Sequence, residues 1–225
     1  MKELTVENAP RWEPEVELIS ITPHAETIIE MAYRNCWQSE PRVGGVEARR
    51  KFIEGCIRRG HLSPLEFAFA IFVVTGSRAY THQQVRHRIA SYAQESQRYV
   101  RVDDPRCIVV PPRIHADPAA LDIFVVAMNQ AWKAYAALIR LGHRKEDARF
   151  VLPNACKSKI LVGMNFRSWR HFLKLRCARA AQWEIRGVAQ EILRILYEHA
   201  PGVFGDLYEK FIVNDGVGEL WTERD

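Results

Sequence analysis

The sequence lacks long apolar runs and glycine-rich phosphate loops, and each absence excludes a class of protein. The longest apolar run, residues 67–74, has the length of one buried strand, well short of the ~20 residues that a membrane-spanning helix needs. No Gly-x-Gly-x-x-Gly or Gly-x-x-x-x-Gly-Lys pattern occurs, so any dinucleotide would have to be bound by side chains. The first 14 residues are charged and contain no apolar core of a secretory signal. We therefore expect no membrane partner.

Paired cysteines and clustered histidines are also missing. The five cysteines are odd in number and form no Cys-x-x-Cys motif, which argues against a structural zinc site. Free thiols predict a cytoplasmic protein, because the cytoplasm keeps thiols reduced. The histidines are scattered without metal-ligand spacing, so no metal is expected.

Charge and apolar content favour an enzyme that binds small anions. The chain has 225 residues, of which 48% are hydrophobic, enough for a substantial core. Lysine and arginine number 32 against 27 acidic residues, a formal net charge of +5. This modest surplus suits electrostatic steering of anionic small molecules. It is weak support for nucleic-acid binding, which usually needs a concentrated basic face.

Hydrophobic periodicity predicts one α+β domain over residues 1–225, with a mixed or antiparallel sheet flanked by long helices. The predicted strands are residues 15–22, 67–75, 107–110 and 160–164, the second of them central because it is apolar on both faces. The predicted helices are residues 22–37, 46–59, 78–88, 117–142, 144–151, 167–199 with a break near Cys177, and 203–212. Residues 91–98 are predicted as a loop, and Ser63-Pro64-Leu65-Glu66 has the pattern of a capping box.

The densest group of hydrogen-bond donors is the segment from Arg86 to Arg98. It contains three arginines, one histidine, two serines and two glutamines within thirteen residues. A guanidinium group presents a planar fork of donors that matches the oxygens of a phosphate or carboxylate. The segment therefore predicts a site for a highly charged anion, although a solvated basic helix face is the competing interpretation.

This segment resembles the signature of the flavin-dependent thymidylate synthases. Arg86-His87-Arg88 is followed after seven residues by Ser96 and then Arg98-Tyr99. Further matches occur in the same order as in that family: Arg59-Gly60-His61-x-Ser63-Pro64-x-Glu66, Ala148-Arg149-x-x-Leu152-Pro153, Asn165-x-Arg167-Ser168, Leu175-Arg176 and Ala181-Gln182-Trp183-Glu184-Ile185. The resemblance spans roughly residues 30–212 and implies the thymidylate-synthase-complementing fold.

The resemblance also implies a reaction. Such enzymes make thymidylate (dTMP) from deoxyuridylate (dUMP), with methylenetetrahydrofolate as carbon donor and NADPH as the source of electrons through FAD. All of these ligands are anionic, which agrees with the arginine content. The family further implies a homotetramer with active sites shared between subunits.

Carried over position by position, the resemblance implies two sets of binding residues. The dUMP set is Gln83, Gln84, Arg86, Gln94, Glu95, Ser96, Gln97, Arg98, Arg149 and Arg176. The FAD set is Cys36, His61, Ser63, Glu66, Arg86, His87, Arg88, Gln94, Asn165, Arg167 and His171. Arg98 and Arg149 are the candidates for the phosphate, because two guanidinium groups can balance a dianion. Glu66 has the capping box as its rival role.

Arg176 is the predicted catalytic residue, because the matching arginine of the family contacts the uracil ring. A cation there stabilises negative charge as the pyrimidine becomes nucleophilic at C5. The competing interpretation is a surface helix arginine. We expect no catalytic cysteine: Cys177 follows Arg176 directly, and helix neighbours at i and i+1 do not share a face.

Four positions depart from the family pattern. Gln94, His171, Ala180 and Phe67 stand where many or some members carry Glu, Asn, His and His, respectively.

Two other functions remain open from the residues: a nucleic-acid-binding module, whose affinity would fall steeply with salt, and a flavoprotein that methylates uracil in RNA.

Overall fold

The centre of the molecule is a four-stranded antiparallel sheet in the order β1-β2-β4-β3. This computed structural model describes residues 3–40 and 44–214. Strands β2 and β4 pair along their whole lengths, from Phe69 opposite Asn165 to Ser77 opposite Lys157. The strands are β1 (Glu15–Ile21), β2 (Phe69–Ser77), β3 (Ser91–Gln94) and β4 (Lys157–Asn165).

Helices pack against this sheet and supply the rest of the core. They are α1 (Ala25–Trp37), α2 (Gly45–Arg58), α3 (Arg78–Gln84), α4 (Pro112–Ala116), α5 (Pro118–Arg140), α6 (Lys145–Ala148), α7 (Phe166–Arg176), α8 (Trp183–His199) and α9 (Pro201–Tyr208). Short 3₁₀ turns cover Ser63–Phe67 and Arg149–Val151, and a π turn covers Glu209–Val213. None of the described helices is both long enough and apolar enough to cross a membrane.

Polar caps begin the helices that follow the two central strands. The Ser77 side chain accepts a hydrogen bond from the Tyr80 backbone N–H at the start of α3. The Asn165 side chain accepts from the Ser168 N–H at the start of α7. Because β2 and β4 are antiparallel, these two helices begin at opposite ends of the pair. The turn after α3 returns the chain to the end where α7 begins, since Ser91 pairs with Gly163.

The core lies mainly on one face of the sheet, against α7 and α8. Phe72 and Val162 are fully buried there with Trp169, Phe172 and Ile192. A second, smaller cluster packs Trp132 of α5 against Leu4, Ile108 and Val110. The apolar pattern of β2 predicts its central place correctly, but only one face is fully buried, because Phe69 on the other face is 41% exposed.

Most predicted elements are confirmed, and three are wrong. Residues 91–94 form edge strand β3 rather than a loop, since Tyr92 and Gln94 alternate with exposed neighbours. The predicted strand at 107–110 is reduced to one isolated bridge between Ile108 and Cys156. The predicted capping box is absent: Ser63 starts a 3₁₀ turn with no side-chain cap, because the Glu66 carboxylate pairs with a guanidinium of α7 instead. The sequence also predicts a break in the chain at the Pro/Gly-rich segment 41–45, and this segment falls partly outside the described residues.

A buried carboxylate fastens the end of β2 to α8. Glu184 accepts hydrogen bonds from the Ser77 backbone N–H at 2.7 Å and the Ser77 hydroxyl at 2.6 Å. Burial raises the pKa of Glu184 above its usual range. Gly76 is required beside this contact, because a Cβ there would lie 2.6 Å from the ring of Tyr80.

We expect Glu184→Ala to destabilise the protein by about 1–3 kcal/mol, because it leaves two buried donors of Ser77 without an acceptor. Urea unfolding monitored by circular dichroism measures the change. Glu198→Ala is the matched control, since Glu198 is an exposed residue of the same helix. Equal free energies of unfolding for Glu184→Ala and Glu198→Ala would contradict a stabilising role of the hydrogen bonds between Glu184 and Ser77.

Candidate active site

A basic cavity of about 440 Å³ lies at the end of the sheet where α7 begins. We call it the sheet-end cavity. The 3₁₀ turn, the turn after α3 and the first half of α7 all contribute to its wall. Six predicted FAD residues line it together: Glu66, His87, Arg88, Asn165, Arg167 and His171.

The chemistry of this cavity fits a flavin nucleotide. Leu62, Leu65 and Ile89 provide apolar surface for a ring, while Arg88 and Arg167 provide guanidinium donors for phosphate oxygens. Arg167 donates to the Glu66 carboxylate at 2.6 Å, and both side chains are about half exposed. This exposed ion pair contributes little stability, so its members can exchange partners for a ligand at small cost.

Arg170 is a further cation in the cavity wall that sequence reasoning missed. Its guanidinium makes a bidentate pair with Asp206 at 2.6 Å for each bond, and it also donates to the Val203 carbonyl. Its Nε is buried and has no hydrogen-bond partner. Only its place between two predicted FAD residues, Arg167 and His171, could have signalled it.

Arg176 is tied to this cavity through His87. The Arg176 Nε donates to His87 Nε2 at 2.8 Å, and the His87 ring packs edge-on against Phe172 with centroids 4.9 Å apart. Burial and the nearby Arg176 charge lower the pKa of His87 to about 4. Within residues 3–40 and 44–214, no carboxylate lies within ion-pair distance of Arg176.

Tyr92 holds the turn that carries His87, a role that the sequence did not reveal. Its hydroxyl lies 2.8 Å from the His87 carbonyl and 2.9 Å from the Gln84 carbonyl. This contact depends on β3, which places Tyr92 opposite Val162 of β4. The only sequence signal for Tyr92 is that tyrosines alternate with charged residues in this segment. That pattern indicates a position for Tyr92 only when residues 91–94 are known to form a strand.

A second basic cavity, of about 480 Å³, contains the predicted phosphate residue Arg98. Its other polar lining residues are Arg101, His143, Arg144, Lys145 and Glu146. The Arg98 Nε donates to the Glu146 carboxylate at 3.1 Å, and the Arg149 Nε donates to the Glu146 carbonyl at 3.2 Å. Glu146 thus joins the two predicted phosphate arginines, although the sequence did not single it out.

The structure does not bring the other predicted dUMP residues together in one cavity. Gln83 donates to the side chain of Gln182, the N-cap residue of α8, at 3.3 Å, whereas Gln84 is fully buried and accepts from the Tyr80 hydroxyl. Gln94 donates to the Thr81 and Ser158 hydroxyls. Glu95 and Gln97 line a third cavity of about 370 Å³, the Ser96 hydroxyl accepts from the Arg98 N–H, and Arg86 is exposed.

Five predicted FAD residues lie apart from the lining of the sheet-end cavity: Arg86 and Gln94, whose places are given above, and Cys36, His61 and Ser63. His61 packs its ring edge-on against Trp37, with centroids 5.7 Å apart. Cys36 and Ser63 are exposed. The segment that contains His61 and Ser63 nevertheless contributes to the cavity wall, because Leu62, Leu65 and Glu66 line the cavity. No group of three or more metal-ligating side chains occurs in the described part of the chain.

Cys177 is 1% exposed, and burial raises the pKa of its thiol well above the usual range. It is therefore a protonated core group. Since a nucleophilic thiolate needs a lowered pKa, we expect Cys177→Ala to retain, within about threefold, the dTMP formation that the family resemblance implies. Steady-state turnover checks this, with circular dichroism as the folding control. Loss of turnover in a folded variant that still binds dUMP would assign the thiol a chemical role.

Comparison with known proteins places the chain in a family. A family model described as "Thymidylate synthase complementing protein" matches residues 17–202. A flavin-dependent thymidylate synthase of Geobacter sulfurreducens is 45% identical over 203 residues, 85% of each chain. One of Nitratidesulfovibrio vulgaris is 42% identical over 215 residues, 87% of each chain.

A solved structure shares the fold. It is a UMP/dUMP methylase, PolB, of Streptomyces cacaoi in complex with 5-Br dUMP, 24% identical with a TM-score of 0.77. The match covers 89% of this chain and 97% of that one. The chain thus has the α+β fold of a nucleotide methylase. It belongs to the flavin-dependent thymidylate synthase family, and it is an enzyme of the methyltransferase class.

Proposed function

We propose that the protein converts dUMP to dTMP, with methylenetetrahydrofolate as carbon donor and NADPH as reductant of FAD. The observation that carries this proposal is the pairing of Arg176 with His87 at the wall of the sheet-end cavity. A guanidinium that has no carboxylate partner among the described residues, held beside a cavity with apolar and cationic walls, suits an electron-rich ring next to a flavin.

The chain's own residues would bind and orient both ligands. Arg88, Arg167, Asn165 and His171 supply the donors for FAD, and Leu62, Leu65 and Ile89 supply the apolar contact. Bound flavin would supply the reducing electrons for the transferred carbon unit. Arg176 would stabilise negative charge on the uracil as its C5 becomes nucleophilic, with no cysteine required.

Arg98 and Arg149 would bind the phosphate of dUMP. Within one chain, Arg98 lines a different cavity from Arg88 and His87. A complete site would therefore combine the phosphate arginines of one subunit with the sheet-end cavity of another. This division supports a homotetramer with shared active sites, and we propose a cytoplasmic enzyme without a nucleic-acid or membrane partner.

The first test is the colour of the protein. We expect the purified enzyme to be yellow, or to become yellow with added FAD, and dUMP to change the flavin absorbance spectrum. This readout tests whether the two ligands lie next to each other before any turnover. A colourless protein that takes up no FAD would refute the proposal. A comparison of free dUMP with uridine in transcript RNA would separate the mononucleotide enzyme from an RNA methylase.

We expect Arg98→Ala to weaken dUMP binding by about 1.5–3 kcal/mol, because it removes a charge-assisted hydrogen bond to phosphate. FAD affinity should stay unchanged. Isothermal titration with dUMP measures the effect, and Arg113→Ala, a change of an exposed arginine in α4, is the control. An unchanged dUMP dissociation constant would remove Arg98 from the phosphate site.

A further inference from the structure

The contact between His87 and Arg176 has a fixed direction. The Arg176 Nε carries a hydrogen and can only donate, so His87 Nε2 at 2.8 Å must be the unprotonated acceptor. His87 is therefore a neutral imidazole with its hydrogen on Nδ1. Burial of the His87 ring, together with the nearby Arg176 and His171, lowers the pKa of His87 and so favours its neutral form.

His87 itself is held rigidly. The residue is only 8% exposed, and its ring is packed edge-on against Phe172. Its carbonyl lies 2.8 Å from the Tyr92 hydroxyl, and its N–H donates to the Gln84 carbonyl. The acceptor atom offered to Arg176 thus has a defined position, set by strand β3 on one side and helix α7 on the other.

The contact also determines which atoms of Arg176 remain available. The bond to His87 uses the Nε, and no other hydrogen bond of the Arg176 side chain occurs among the described residues. The two terminal nitrogens keep their donors, and no carboxylate in the described part of the chain lies close enough to neutralise the positive charge. A planar guanidinium fixed at its Nε presents these donors as a fork in one plane.

We propose that His87 is a positioning residue, whose Nε2 fixes the Arg176 guanidinium so that its terminal nitrogens face the pyrimidine of the bound nucleotide. This role goes beyond a contact to the flavin, and it rests on the proposed function. Preorganised donors act on developing charge without reorganising during the reaction, so a loose Arg176 would bind substrate but react slowly.

Two substitutions separate positioning from packing. His87→Phe keeps a ring against Phe172 but removes the acceptor, whereas His87→Gln retains an acceptor on a flexible side chain. We expect His87→Phe to lower kcat by about 30-fold or more, while its affinity for FAD stays within threefold of the wild-type value. We expect His87→Gln, which keeps an acceptor, to have a kcat within about fivefold of wild type. His82→Phe, in the exposed part of α3, is the matched control.

A second measurement does not depend on turnover. In protein labelled with ¹⁵N-histidine, and with the resonance assigned through His87→Gln, the His87 Nε2 shift should be that of an unprotonated nitrogen. Arg176→Met should move this shift, because the donor is lost. A protonated Nε2 in the wild type would overturn the inference.

The outcomes are distinguishable. If the wild type forms dTMP and His87→Phe keeps full kcat, the positioning role is wrong while the proposed function stands. If both His87 variants lose FAD and kcat together, His87 is a flavin contact and the inference is overturned. If the wild type forms no dTMP at all, the proposed function fails, and the pyrimidine-directed role fails with it, whatever the nitrogen shift shows.

Discussion

Arg176→Ala is expected to reduce dTMP formation by about 10²–10³-fold while FAD remains bound, because removal of one preorganised donor to developing charge has this effect. The side chain is partly buried at the end of α7, and its partner among the described residues is the neutral His87. Its charge therefore contributes little to folding through ion pairs. Single-turnover dTMP formation and a parallel FAD titration separate chemistry from cofactor binding.

The matched variant is Arg176→Lys. It keeps the positive charge but loses the planar fork and the Nε–H bonded to His87. We expect it to fall between the wild type and Arg176→Ala, with most of the activity still lost. Wild-type turnover in Arg176→Ala would show that Arg176 does not act on the pyrimidine.

Asp206→Ala is expected to destabilise the fold by about 2–3 kcal/mol, because it removes the carboxylate from a guanidinium that is 3% exposed. This expected loss of stability is at or below the smallest losses typical of a broken buried ion pair. The reason is that the Asp206 side chain is 52% exposed, so water reaches its side of the contact. The Arg170 charge would keep only the Val203 carbonyl as its acceptor. Urea unfolding measures the loss.

A double substitution tests the cause of this loss. Arg170→Met in the Asp206→Ala background removes the unpaired charge, so we expect the double variant to be more stable than Asp206→Ala alone. A double variant that is less stable by the sum of two independent losses would contradict a charge-based explanation.

The effect of Asp206 should depend on pH. Burial acts to raise its pKa, but the hydrogen bonds and charge of Arg170 lower it by more, so the folded value lies below the ordinary 3.8. A carboxyl group with a lowered folded pKa stabilises the protein above its unfolded pKa, and this contribution is lost as the pH falls through the folded value. The stability gap between the wild type and Asp206→Ala should therefore be present at neutral pH and shrink in acid.

The sequence predicted most elements because their patterns are local. The Asp117 cap, the apolar spacing of α5 and the break near Cys177 each depend on a few neighbouring residues. Strand β3 could not be found this way, since its polar residues are held by pairing with β4, a partner more than 60 positions away. The predicted capping role of Glu66 is wrong for a similar reason. Its carboxylate accepts a hydrogen bond from Arg167, which is 101 positions away in the sequence, and a local pattern does not contain this contact.

The candidate site was predictable as a set of residue types but not as a geometry. The motif matches identified Glu66, His87, Arg88 and Arg167 without showing that one cavity holds them. Arg170 and Glu146 were missed because arginine and glutamate on helices are common, and only tertiary contacts distinguish these two. The separation of Arg98 from the sheet-end cavity likewise follows from topology, which the spacing of motifs does not encode.

The most direct test of the account is an anaerobic assay with the purified enzyme, dUMP, methylenetetrahydrofolate, FAD and NADPH, in which the nucleotide products are separated and quantified. The account predicts dTMP formation that requires dUMP, methylenetetrahydrofolate, NADPH and either bound or added FAD, and that persists in Cys177→Ala. Absence of dTMP from a folded enzyme that holds FAD, or dTMP formation without FAD, would contradict it.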